Sequence, residues 1–369
     1  MKKEHKIINH KINVTKTWLP EKEKLYRYID QIYESDRITN NGPMVQELTK
    51  RLQDYLGVKN LLLVTNGTLA LQVAYRVLGI EIAAVTTPFT FAATSSSLVW
   101  EGIKVQFADI DKRTFCIDPE KIIRTISEDT SGIVPVHVFG NACEIERIDD
   151  IAIKKDLKVV YDGSHAFGVR YKGKSILSYG NATTLSFHAT KLFHTIEGGA
   201  IVFKYEEDLK KAQLMINFGI DGPDSIKGLG INAKMSEFQA AMGLCVLDDI
   251  NIIIEARKKL WNRYLNRLSE KIQFQTWRAD NNNFGYFPVV FSTEKELLII
   301  KDSLNKKDIF PRRYFYPSLH SVDALNKDYF ELNNSDDISK RILCLPLYPG
   351  ISTRTQSTII EIINKEVEK

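Results

Sequence analysis

Leu61-Leu62-Leu63-Val64-Thr65-Asn66-Gly67-Thr68 runs directly into Leu69-Ala70-Leu71-Gln72-Val73-Ala74-Tyr75-Arg76-Val77-Leu78-Gly79. The first segment is a short apolar run ending in a glycine turn, which reads as a buried strand. The second is rich in helix formers and stops at a glycine suited to a C-terminal cap, so it reads as a helix. Gly67 and Thr68 therefore sit where a strand feeds a helix N-terminus. Free backbone N–H groups and the helix dipole favour an anion such as phosphate there. An ordinary strand-to-helix connection with a capping threonine is the rival reading of the same residues.

The pattern repeats outward. Strand candidates follow at Ala83 to Thr87, Val105 to Ala108, Ile133 to Val138, Lys158 to Tyr161, Thr183 to Phe187 and Ala200 to Phe203, separated mostly by helix-length segments. This alternation specifies an α/β fold with a mainly parallel sheet. Upstream, Val45, Leu48, Leu52 and Tyr55 fall on one helix face that Gly57 closes. Downstream, a long helical stretch from Ser236 to about Ile272 leaves the sheet domain. Phe284 to Phe291, the helix-like Glu294 to Leu304 and a last helix from Thr355 to Val367 then suggest a smaller α+β domain. The expected division is a large domain over residues 1–250 and a small one over 251–369. Asn281-Asn282-Asn283 is the nearest approach to a loop tract.

Composition excludes several classes. With 369 residues, 44% of them hydrophobic, the chain can bury a large core. A net charge of +4 with interspersed signs does not argue for nucleic acid. The cysteines (Cys116, Cys143, Cys245, Cys344) have no metal-ligand spacing and read as reduced thiols. No apolar run reaches membrane-span length, and Met1-Lys2-Lys3-Glu4-His5 precedes no signal-like stretch, so the expectation is a cytoplasmic protein without membrane or metal.

Two further segments carry chemistry. Leu157-Lys158-Val159-Val160-Tyr161-Asp162-Gly163-Ser164-His165 delivers Asp162 at the carboxyl end of a strand, the edge of a parallel sheet where ligands bind. A carboxylate there can keep a pyridinium nitrogen protonated, and His165 can reach a phenolic oxygen on the same ring. Ser186-Phe187-His188-Ala189-Thr190-Lys191-Leu192-Phe193-His194-Thr195-Ile196-Glu197-Gly198-Gly199 places Lys191 between two apolar runs. Desolvation lowers an ammonium's pKa, and a neutral amine can form a Schiff base with an aldehyde cofactor. Taken singly, a capping Asp, a core His and a surface Lys are the plainer readings.

Together these residues resemble the DegT/DnrJ-type sugar nucleotide aminotransferases, which are fold type I pyridoxal phosphate (PLP) enzymes. The blocks that carry the resemblance are Thr86 to Thr94, Asp162 to Gly168, Ser186 to Lys191, Glu197-Gly198-Gly199 and Gly230 to Ala241. It spans the chain from Asn41-Gly42-Pro43 to Leu345-Pro346-Leu347-Tyr348-Pro349. The resemblance implies an aspartate aminotransferase-like large domain with a mixed, mainly parallel sheet. It makes Lys191 the Schiff-base lysine and Asp162 the partner of the pyridine nitrogen. His165 falls at the phenolic oxygen, Phe91 over the cofactor ring, and Gly67, Thr68 and Ser186 at the phosphate. Asn232 matches a residue supplied from a neighbouring subunit, which implies a homodimer with shared sites. Lys234 stands where many relatives have Arg, and the two are not equivalent at a bidentate site.

The resemblance further implies L-glutamate as amino donor and pyridoxamine phosphate as the carrier between two half-reactions, with Lys191 as general base. Within the family the Ser186 to Gly199 block looks most like transaminases that make dTDP-4-amino-4,6-dideoxyglucose. That implies amination of dTDP-4-keto-6-deoxyglucose at C-4, for glycan biosynthesis. Amination at C-3, or of a UDP-linked sugar, is the alternative. A sensor that binds PLP without chemistry should lack Lys191 or Asp162, and this chain has both. Phe310-Pro311-Arg312-Arg313-Tyr314-Phe315-Tyr316-Pro317 reads as a substrate clamp or a solvated turn, with Arg313 and Tyr316 the leading substrate contacts beside Lys234. Gly228-Leu229-Gly230-Ile231-Asn232-Ala233 fits a dinucleotide-binding glycine pattern, but no buried strand precedes it.

Overall fold

The computed structural model describes residues 11–325 and 332–369. The chain opens with β1 (Ile12–Asn13), α1 (Lys22–Ser35) and α2 (Pro43–Leu56). Then come β2 (Leu61–Val64), α3 (Gly67–Leu78), β3 (Ala83–Thr86), α4 (Ala92–Trp100), β4 (Lys104–Phe107), α5 (Pro119–Thr125), β5 (Thr130–Val134), α6 (Ile145–Lys155) and β6 (Lys158–Asp162). A hairpin of β7 (Arg170–Tyr171) and β8 (Lys174–Ser175) leads to β9 (Ala182–Ser186), β10 (Gly199–Phe203) and α7 (Glu206–Met215). The remainder is α8 (Glu237–Asp248), α9 (Ile250–Arg267), β11 (Phe287–Val290), α10 (Glu294–Asn305), β12 (Ile309–Phe310), α11 (Asn333–Arg341), β13 (Ile342–Leu345) and α12 (Thr353–Val367).

Seven strands form the main sheet in the order β2-β10-β9-β6-β5-β3-β4. Only β10 runs against its neighbours, and β3, β4, β5, β6 and β9 pair in parallel. Because β10 is antiparallel to both β2 and β9, β2 points the same way as β9. The carboxyl ends of β2, β3, β6 and β9 therefore share one edge of the sheet. One apolar cluster fills the face toward α2, α6 and α8, including Leu48, Leu52, Ile148 and Leu244. A second fills the opposite face around Leu71, Tyr75 and Ile201 on α3 and β10. The third, built on Tyr264, Phe287, Leu297, Leu343 and Ile363, is the core of the smaller C-terminal layer.

Several expectations shift on contact with the structure. The Ser236-to-Ile272 stretch is two helices broken at Asp249, whose carboxylate accepts from Trp18 Nε1 at 3.0 Å and Lys24 Nζ at 2.6 Å. The strand expected over Ile133 to Val138 ends at Val134, because Pro135 has no N–H to continue the ladder and can only accept, from Asp162 N. On α2, Val45, Leu48 and Leu52 are buried, but Tyr55 lies at the edge with its ring stacked on Phe167 at 5.6 Å. The N-terminal strand β1 pairs with β12 in the C-terminal layer. Among the described residues no helix is long and apolar enough to cross a membrane.

Candidate active site

The shared sheet edge opens onto a cavity of about 280 Å³ lined by Gly67, Thr68, Phe91, Asp162, His165, Ser186 and Lys191. Asn66 caps α3, its Oδ1 accepting from Leu69 N at 2.8 Å, so the cap is Asn66 rather than Thr68. Gly67 lies so close to β9 that a Cβ on it would meet Ser186 Cβ at 2.8 Å, and a Cβ on Gly199 would meet the Asn66 carbonyl carbon at 2.6 Å. These contacts bring the start of α3 against Ser186 and leave no room for larger side chains. Phe91 is the N-cap residue of α4 and is half exposed at the cavity mouth.

Asp162 ends β6 and is 5% exposed. Its Oδ2 accepts from Thr94 Oγ1 at 2.8 Å and its Oδ1 from Ser164 N at 3.0 Å. The Thr94 hydroxyl is itself 2.9 Å from that of Thr90. Sequence reading assigned no role to Thr94, which lies 68 positions before Asp162 and meets it only through folding. His165 is buried, and its Nδ1 accepts from Phe139 N at 3.2 Å. That bond puts the ring proton on Nε2. Burial, with Lys191 nearby, holds the imidazole well below its usual pKa and hence neutral. Burial also pulls Lys191 down to about 8, opposed by the attraction of Asp162. Near neutral pH this amine is far more often unprotonated than a surface lysine.

The C-terminal layer closes the cavity with Tyr286, Arg312, Tyr314 and Phe315. Arg312 forms an isolated antiparallel bridge with Cys344, so alternation along the extended segment sends Arg312 and Tyr314 to the cavity and Arg313 away from it. Arg313 binds Glu294 Oε1 at 2.6 Å and stacks on Tyr316 at 3.5 Å. Arg313 and Tyr316, expected as substrate contacts, are not among the residues that line the Lys191 cavity. Arg312, over the Tyr314 ring at 4.6 Å, has no carboxylate partner among the described residues. Lys234 also lies elsewhere, in a separate cleft of about 670 Å³, with its Nζ on Asn217 Oδ1 at 2.8 Å. Asn232, bridged to Asn217, is exposed and does not line the cavity of its own chain. The Asn281–Asn283 tract is not a loose loop. Asn281 receives Arg170 N at 2.7 Å, and Asn283 donates to His165 O at 2.8 Å and Phe167 O at 3.0 Å.

The model of the DegT/DnrJ/EryC1/StrS aminotransferase family matches residues 20–364. The chain belongs to that family. It is 39% identical over 363 residues to a dTDP-4-amino-4,6-dideoxy-D-glucose transaminase of Shigella dysenteriae, covering 96% of this chain and 98% of the relative. A transaminase of the same name from Escherichia coli is 34% identical, over 95% and 98% of the two chains. Among solved structures, that of DesI in the presence of its TDP-sugar product aligns with a TM-score of 0.89 and 28% identity, over 95% of this chain and 92% of that one. Lys191 and Asp162 line one cavity of this chain.

Proposed function

We propose that this aminotransferase moves an amino group from L-glutamate to a keto sugar nucleotide, dTDP-4-keto-6-deoxy-D-glucose, giving dTDP-4-amino-4,6-dideoxy-D-glucose and 2-oxoglutarate. The observation that carries this reading is the convergence of Asp162, His165 and a low-pKa Lys191 on the cavity at the carboxyl edge of the sheet. The choice of sugar and nucleotide rests on the two dTDP-4-amino-4,6-dideoxy-D-glucose transaminases at 39% and 34% identity.

The donor set fits pyridoxal phosphate. Asp162 supplies a buried carboxylate for a ring N–H, His165 a donor proton on Nε2, and Lys191 an amine for the aldehyde. The start of α3, with Ser186 against it, supplies N–H and hydroxyl donors for the phosphate. When bound, PLP supplies the electron sink that lets an α-proton leave the amino donor. The chain's own residues do the rest. Asp162 keeps a proton at the ring nitrogen, and the Thr94 and Ser164 bonds keep its carboxylate fixed. The Lys191 amine would hold the cofactor's aldehyde and would be the base that takes the donor's α-proton and redelivers it. Arg312, which has no carboxylate partner among the described residues, offers its guanidinium to an anionic group of donor or sugar nucleotide. Phe91, at the cavity mouth, would lie against the ring of the bound cofactor.

In this reading the protein works as a homodimer, with Asn232 reaching the phosphate in a neighbouring subunit. Its exposure supports this, as do the exposed apolar side chains Phe218, Ile226 and Leu229 in the loop that precedes it. The test is to supply purified protein with glutamate and dTDP- or UDP-linked 4-keto and 3-keto sugars, and to identify products by mass and NMR. A 4-amino product from the dTDP-linked 4-keto sugar is expected. Exclusive turnover of a 3-keto or UDP-linked sugar would replace the proposed substrate, and no turnover of any with cofactor bound would refute the activity.

A further inference from the structure

Lys191 is contacted from the C-terminal layer by Tyr286. Tyr286 immediately precedes β11, and its hydroxyl lies 3.4 Å from Lys191 Nζ. Its ring centroid stands 4.5 Å from that of His165 and 5.9 Å from that of Tyr314. The backbone that carries it is held on three sides. Arg257 Nη1 donates to Gly285 O at 3.1 Å and Leu347 O at 2.9 Å. Trp261 Nε1 donates to Tyr286 O at 3.3 Å. Asn283 Oδ1 accepts from Gly285 N at 3.0 Å, while its Nδ2 ties the same turn to the carbonyls of His165 and Phe167.

Arg257 is an expensive way to hold a turn. The residue is 3% exposed, among the described residues its guanidinium bonds only to carbonyl oxygens, and burial pulls its pKa down to about 10. Desolvating a cation without a carboxylate partner is unfavourable unless its donors meet a need that neutral groups do not. The segment it fixes ends at the hydroxyl beside Lys191. A lysine amine on four methylenes explores many rotamers once free, and each wrong one removes it from the reacting atoms. A phenol that burial keeps neutral can both accept from an ammonium and donate to an amine lone pair.

We infer that Tyr286 is a further catalytic residue, holding the Lys191 amine at the cavity wall in both of its protonation states, with Arg257, Trp261 and Asn283 as positioning residues. The inference rests on Lys191 being the cofactor-binding amine. The experiment measures the rate at which cofactor-stripped enzyme captures pyridoxal phosphate as a function of pH. Borohydride reduction and peptide mass spectrometry identify the labelled lysine. Wild type should label Lys191 with an apparent pKa near the value of about 8 set by burial. Tyr286→Phe keeps the ring and removes the hydroxyl. Hydrogen bonds to the charged form are the stronger ones, so the apparent pKa should fall by roughly half a unit to one unit. Turnover should fall about tenfold with a larger isotope effect from α-deuterated glutamate, and the melting temperature should be unchanged. Trp261→Phe, which keeps an aromatic ring against Phe284 and Phe287 but removes the bond to the Tyr286 carbonyl, should shift the pKa the same way by less. A folded Tyr286→Phe protein that labels Lys191 with the wild-type pH profile and isotope effect overturns the inference while leaving Lys191 in place. Wild-type labelling at another lysine overturns the underlying reading as well.

Discussion

Replacing Asp162 with Asn tests whether its charge, rather than its shape, serves the reaction. The site is built to accept the substitution sterically. An asparagine Oδ1 can still receive Ser164 N, now 3.0 Å from the carboxylate, and its Nδ2 can donate to the Thr94 hydroxyl, now 2.8 Å away and free to rotate. Global stability should therefore change by less than about 1 kcal/mol. What disappears is the negative charge opposite a ring N–H, a charge-assisted bond worth about 3 kcal/mol when buried. If that loss falls on the transition state, kcat/KM drops by about two orders of magnitude. Removing Asp162 also removes the attraction that opposes burial at Lys191, so the amine should titrate below its present value of about 8. The assay is steady-state transamination of glutamate beside a thermal melt. An Asn variant that melts like wild type and turns over at more than half its rate would show that no protonated ring nitrogen depends on Asp162.

Three further outcomes follow from the same geometry. Burial lowers Lys191 from 10.5 to about 8, so its neutral fraction rises as pH rises through that value; the rate of pyridoxal phosphate capture should climb between about pH 7 and 9 and level off above it, and a climb delayed until pH 10 or beyond would mean the amine is solvated. Arg312→Ala should raise KM for the sugar nucleotide roughly tenfold or more, whereas Arg313→Ala, which breaks a pair with Glu294, should act mainly on stability; equal kinetic defects would contradict the side-chain alternation. Mixed Lys191→Ala and Asn232→Ala chains should recover activity toward half per dimer, because one site of a heterodimer then has both residues intact. With heterodimers verified by native mass spectrometry and the Asn232→Ala parent shown to be impaired, no recovery places Asn232 within its own chain's site.

The strand-turn-helix grammar of this fold is local, and it was legible residue by residue. Leu61 to Gly79 forms β2 and α3 because apolar spacing, the Asn66 cap and the left-handed Gly79 cap act over a few positions. The same locality places Asp162 and Ser186 at strand ends and Lys191 in the following loop. Boundaries were less legible where one residue decides them, as at Pro135 and Asp249.

What the linear order could not decide is which side chains meet. Thr94 reaches Asp162 across 68 positions and Tyr286 reaches Lys191 across 95, through sheet order and the docking of the C-terminal layer. Arg312 and Arg313 are chemically identical neighbours, and only the bridge to Cys344 determines which faces the cavity. The Asn281–Asn283 tract has the composition of a loop, yet its amides find backbone groups of the His165–Arg170 turn and become a clamp. Residue type and spacing thus determined the fold and the chemistry available. The three-dimensional arrangement decided the partners, because a hydrogen bond of about 3 Å depends on distance in space and not on separation along the chain.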